Sequence, residues 1–158
     1  MQSEAAQIAS VIERIARDIV AKIENLPDEV LNRPMPVPDA NTIYALATHT
    51  VGMGEFWVLA LVGGRTIARN RAAEFRAQGS GPALLVRYQQ WIDDVHTVLD
   101  DLPASALDEQ AEPPAEFRMT GGLGAETLTR RDCLLHVVEH SATHLGHIQL
   151  TCDLFQAQ

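Results

Sequence analysis

Four of the six histidines in this 158-residue chain lie close together near its end, at His136, His140, His144 and His147. If the segment is helical, about 100° per residue puts them at roughly 0°, 40°, 80° and 20°, on one stripe. Imidazoles four residues apart on a helix can bring two nitrogens to one ion, and Zn²⁺ or Ni²⁺ takes such ligands. Two ligands are half a site, so a third must come from another helix. His49 is the candidate, since it lies beside an apolar stripe with Met53, Phe56 and Ala60 on its side. Spacing alone admits His136 with His140 as readily as His140 with His144. A single histidine is more often solvated, or a satisfied core residue, than a ligand. Four on one face plus a fifth on a facing helix reverse that expectation. Cys133 falls at about 60° on the same stripe. It lies a turn or more from His140, however, and a lone cysteine is more often a small buried hydrophobe.

The elements that must position these rings are four amphipathic segments. In the first, Ile8, Ile12, Ile15, Ile19, Ile23 and Leu26 recur at steps of three or four, with Ser3 as N-cap and Pro27 as the stop. Four of the eight prolines lie from Pro27 to Pro38, which suits a rigid crossing loop with one short turn at Asp28 to Leu31. Asn41 is read as the cap of a second helix running from about Thr42 to Val62, with Ile43, Leu46, Thr50, Met53, Trp57 and Leu61 on its stripe. The Gly63-Gly64 pair stops it. After a loop to about Gly81, a third helix carries the seam Leu84, Tyr88, Trp91, Val95, Val98 and Leu102, and Pro103 closes it. His96 is one step off that seam and should be solvated. Pro103 to Thr129, with its Gly121-Gly122-Leu123-Gly124 tip, reads as a long crossover with at most short extended pieces. Thr127 or Thr129 then caps the histidine helix, which runs to about Gln156. The expected fold is therefore all-α, a four-helix bundle with long crossover loops, in one domain over residues 1–158.

Composition limits the partners. Twelve Lys and Arg against 21 Asp and Glu give a formal charge of -9, which removes the main driving force for nucleic-acid binding. The longest apolar stretch, Ile43 to Val62, is interrupted by His49 and Glu55 and reads as a buried bundle helix, not a membrane span. No basic start followed by an apolar run suggests a signal peptide, so a cytoplasmic protein is expected. Cys133 and Cys152 would sit roughly 28 Å apart on one helix, too far for a disulfide.

The segment His136-Val137-Val138-Glu139-His140-Ser141-Ala142-Thr143-His144-Leu145-Gly146-His147-Ile148 resembles the closing helix of the DinB/YfiT-like superfamily, approximately H-x-x-x-H-x-G-Q-I. His49, in Leu46-Ala47-Thr48-His49, resembles that family's second-helix ligand. The order of elements matches over nearly the whole chain. The resemblance implies His49, His140 and His144 as ligands of a divalent ion, with room for water or substrate. It also departs from the family: Thr143, Leu145 and His147 stand where many members have His, Arg and Gln. His136 and His147 are extra imidazoles, suited to orienting a ligand, shuttling a proton or replacing one of the three.

The family is similar to metal-dependent hydrolases and to enzymes that transfer low-molecular-weight thiols. The resemblance therefore implies an enzyme acting on a small molecule, in a homodimer, with a thiol as a candidate cofactor. The competing class is a non-catalytic homodimeric bundle whose metal is structural or vestigial; a fourth protein ligand, from His147, His136 or Cys133, would mark it. The loop after the second helix holds Arg65, Arg69, Arg71 and Arg76 against Glu74 alone, a local charge of +3. A guanidinium there could receive a carboxylate, although a solvated loop is the commoner meaning of such a run. Glu55 and Glu139 are rotated away from their neighbouring histidines, and neither qualifies as a general base.

Overall fold

A computed structural model describes residues 3–115 and 128–157. The long helices are α1 (Glu4–Ile23), α3 (Ile43–Gly54), α5 (Gly81–Leu99) and α6 (Arg130–Gln156); α3 continues through a π-helical segment, Glu55–Val62. One-turn helices α2 (Asp28–Leu31) and α4 (Arg71–Glu74) lie in the connections. A 3₁₀ turn (Ala104–Asp108) and a two-residue antiparallel pair, β1 (Gln110–Ala111) with β2 (Leu128–Thr129), occupy the last crossover. Helix α1 packs on α5 and α6, and α3 also packs on both, which makes a four-helix bundle. The glycine tip and Thr127 lie outside the described residues.

Local chemistry sets the boundaries. Ser3 accepts from the Ala6 amide (3.2 Å), and Thr129 forms a capping box with Asp132 at the start of α6. Helix α3 is capped by Thr42 and not by Asn41: the Thr42 hydroxyl accepts from the Ala45 amide at 3.0 Å. Helix α5 is capped by Ser80, has Pro82 in its first turn and ends at Leu99, a turn before Pro103. Leu102 packs on the core from outside the helix.

Helix α3 departs most from its sequence reading. From Ala45 to Gly54 every residue is buried, so it is a central helix and not a one-striped one. Its extension changes to π geometry, with Gly63 N bonding to Val58 O (2.9 Å). The sequence Glu55-Phe56-Trp57-Val58-Leu59-Ala60-Leu61-Val62 is apolar on all sides and holds no period to reveal this. Ile43–Val62 is the one stretch among the described residues long and apolar enough to cross a membrane, and 83% of it is buried inside the bundle.

Two glycines in mid-helix each weaken α3 by about 1 kcal/mol relative to alanine, and each admits a close neighbour. A Cβ at Gly54 would lie 2.2 Å from Cζ2 of Trp91, and one at Gly52 would lie 2.7 Å from Oε1 of Glu74. The first contact locks α3 to α5. The second brings a carboxylate to the face of α3 that carries His49.

Candidate metal centre

The seam of α6 is apolar at Cys133, Leu134 and Val137 and again at Ile148 and Cys152, but Ser141 is the one buried residue between Val137 and Ile148. His140 and His144 fill that gap, half-buried, and point at α3. His49, 1% exposed, meets them from the other side. Its Nε2 is 3.0 Å from Nε2 of His140, which in turn is 3.1 Å from Nε2 of His144. Ligand atoms of all three lie within 4.8 Å of one another. Of the two pairs that spacing left open, His140 with His144 is the one brought to His49.

The other imidazoles extend the row. His136 packs at a tilt against Trp57 (4.7 Å between ring centroids) and lies 5.1 Å from the His140 ring. His147 is exposed, with Nδ1 3.3 Å from Nδ1 of His144. Cys133 is fully buried and burial pushes its thiol up to about 12, so it is a core residue. His96 is not simply solvated: its ring is half-buried and bridges Glu13 (2.8 Å) and Asp100 (3.0 Å). Glu139 is exposed, and Glu55 faces away into a two-pronged pair with Arg87.

Glu74 is the functional residue the sequence reading missed. Asn70 caps α4 by accepting from the Ala73 amide (3.0 Å), and this single turn delivers Glu74 into the bundle, 7% exposed. Its Oε2 receives Nδ1 of His49 at 2.8 Å, and Arg69 binds both carboxylate oxygens at 2.9 and 3.1 Å. Burial alone would raise the Glu74 carboxyl, but the hydrogen bonds from His49 and Arg69, with their charge, outweigh it and bring it down to about 2. An ionised carboxylate only accepts, so Nδ1 of His49 carries a proton toward Glu74 and its Nε2 is the ring nitrogen directed at α6. Phe75 covers the His49 ring at 4.1 Å. Arg69 and Glu74 also wall a cleft of about 310 Å³ between α3, α5 and the segment before α4, which none of the three histidines lines. Two signals pointed here: Glu74 is the only acid among four arginines, and Gly52 lies three residues beyond His49, on the same helical face.

Desolvation lowers His140 to about 4, helped by the charges of His136, His49, Arg69 and Arg71. It lowers His144 to about 3, helped by His140, His49, His147 and Arg71. Both are neutral at pH 7 and have lone pairs to give. In the metal-free protein these shifts destabilise on acidification. Unfolded histidines take up protons below about 6.5, which the folded ones refuse until pH approaches 4. The urea midpoint of chelator-treated protein should therefore fall between pH 7 and pH 5. His96, raised by Asp100 and then Glu13, acts in the opposite sense, so a His96→Gln background should steepen the fall. A midpoint independent of pH in that background contradicts the burial of the two rings.

Fold and site together define a helical bundle with three converging imidazoles, two from its last helix and one from its second long helix. The family model of the DinB superfamily matches residues 12–148, and the chain belongs to that superfamily. Two solved structures share the fold. A conserved protein from Enterococcus faecalis aligns over 100% of both chains at 12% identity, with a TM-score of 0.75. A DinB-like protein from Bacillus cereus aligns over 90% of this chain and 85% of its own at 14% identity, with a TM-score of 0.63. No curated protein matches the chain.

Proposed function

We propose that His49, His140 and His144 hold a divalent metal ion, zinc or nickel by donor type, through their Nε2 atoms. In this reading the protein is a metal-dependent enzyme on a small molecule, a thiol transferase or a hydrolase. The observation that carries the proposal is the convergence of three imidazole nitrogens, two of them on rings that burial keeps neutral at pH 7. The Nε2 of His140 faces two neighbours and can engage only one of them squarely in a hydrogen bond, whereas a cation among the three Nε2 atoms engages all of them at once. Two of the three separations, 3.0 and 3.1 Å, are close to the roughly 3.3 Å between ligand nitrogens about 2.0–2.1 Å from a tetrahedral ion, and all three donors lie within 4.8 Å.

A divalent ion held this way supplies Lewis acidity, bringing the pKa of a water or thiol that reaches it toward neutrality. The chain's own residues do the rest. Glu74 fixes the tautomer and ring plane of His49, and Arg69 fixes Glu74. Phe75 keeps water from the His49 face. With Nε2 of His144 engaged, its Nδ1–H donates to Nδ1 of exposed His147, which orients the ring from outside. His136, lowered by burial against Trp57, stays neutral beside His140.

A structural site would be closed by a fourth protein ligand. Among the described residues no further histidine, cysteine or carboxylate joins the three, which supports an open position and hence catalysis. The homodimer and the low-molecular-weight thiol come from the family resemblance and, with the cytoplasmic location expected above, belong to the same reading.

Glu74→Gln should weaken metal binding by about 10- to 100-fold in a chelator competition, as loss of an outer partner does. An unchanged affinity removes Glu74 from the site. Function is tested by assaying chelated and zinc- or nickel-reloaded protein for thiol addition to an activated aryl halide and for hydrolysis of an activated ester. Turnover that requires metal, and disappears in His49→Ala and His144→Ala, supports the enzyme. Stoichiometric metal with both assays blank favours the non-catalytic bundle.

A further inference from the structure

Of the four arginines in the segment between the π-helical turn and α5, two are committed. Arg65 binds Asp94 at 2.6 Å, and Arg69, nearly buried, binds Glu74 with two prongs. Arg71 is different. It is exposed, and among the described residues no carboxylate pairs with it. Its guanidinium carbon lies 5.0 Å from the centre of the Phe75 ring, and Phe75 in turn stacks on His49 at 4.1 Å. The Arg71 guanidinium thus lies over the ring that covers His49, beside the three-histidine group. Its charge is felt by both His140 and His144.

The local charge balance gives this position a meaning. Among the described residues, the charged or chargeable groups that bear on His140 and His144 are basic, and the buried carboxylate at the site, Glu74, is matched by Arg69. Three neutral imidazoles, a divalent cation and Arg71 would together place about three positive charges there, in a protein whose overall charge is -9. Such a site favours a further anion, and the guanidinium fork matches a carboxylate.

Resting on the three-histidine reading above, we propose that Arg71 receives a carboxylate of the small molecule that binds at this site, so that the site selects carboxylate-bearing molecules over their neutral counterparts. The ligand class is a small acid whose reactive group, a thiol or an electrophilic carbon, reaches the histidines while its carboxylate sits at the Phe75 edge.

The test uses cobalt(II)-loaded protein titrated with 3-mercaptopropionate and with its methyl ester, read by the near-ultraviolet thiolate-to-cobalt absorption. The acid should bind about tenfold more tightly than the ester. Arg71→Met, which keeps an apolar stem over Phe75, should bring the two within about twofold at unchanged cobalt stoichiometry. Arg71→Lys should keep part of the preference, and Arg76→Met all of it. Equal binding of acid and ester to the unaltered protein overturns the proposal, as does a preference that survives Arg71→Met or vanishes in Arg76→Met. Bound cobalt without acid preference defeats this inference alone; failure of cobalt to bind at one per chain defeats the three-histidine reading and this inference with it.

Discussion

His140→Ala is expected to lower the metal content of purified protein from about one ion per chain to less than about a tenth. His140 is the central member of the group, with Nε2 within 3.1 Å of both other rings. Its removal leaves His49 and His144 as two donors that no third joins among the described residues. The loss in affinity should exceed the factor of about 100 that an outer partner can cause. The fold should survive, because His140 is half-buried and its neighbours Val137 and Ser141 keep the seam to the rest of the bundle. Helical circular dichroism close to that of the unaltered protein, with the ion gone, is the expected pair of results. Stoichiometric metal in this variant would mean that the ion is held elsewhere.

Trp91→Ala should cost about 3–5 kcal/mol in urea unfolding. The ring is 1% exposed, packs edge-on to Tyr88 at 6.1 Å between centroids and lies on the open backbone of Gly54. Removing it leaves a cavity where α3 turns into its π-helical extension, and no side chain at Gly54 can fill the space. Tyr88 still holds α5 to α3 by donating its hydroxyl to the Ala47 carbonyl at 2.9 Å, so the bundle should loosen locally without losing its topology. A change below about 1 kcal/mol would show that this seam carries little of the packing.

These two residues also mark what the sequence made legible. Trp91 lies on a strict four-and-three repeat, and such a repeat identifies both a helix and its buried face. The histidine row was readable for the same reason: helical spacing converts positions into a stripe without knowledge of the fold. Bringing His49 to His140 and His144 required only that two long helices face each other, which a four-helix bundle with one His-bearing central helix allows. Glu74 was not legible, because it depends on a one-turn helix capped by Asn70 and on the absence of a side chain at Gly52, neither of which produces a periodic signal. The π-helical turn was hidden by an excess of apolar residues. Thr42 displaced Asn41 as cap because one residue decides which side chain reaches the Ala45 amide. The pairing of His96 left no trace in the sequence because its partner Glu13 comes from α1, a contact that exists only in the folded bundle.

The central claim is that imidazoles from α3 and α6 share one cation. Crystals of zinc-loaded protein, measured on both sides of the zinc absorption edge, locate the ion directly. The account requires one strong anomalous peak about 2.0–2.1 Å from Nε2 of His49, His140 and His144 alike. A peak bonded to Cys133, or to His136 and His147 without His49, contradicts it.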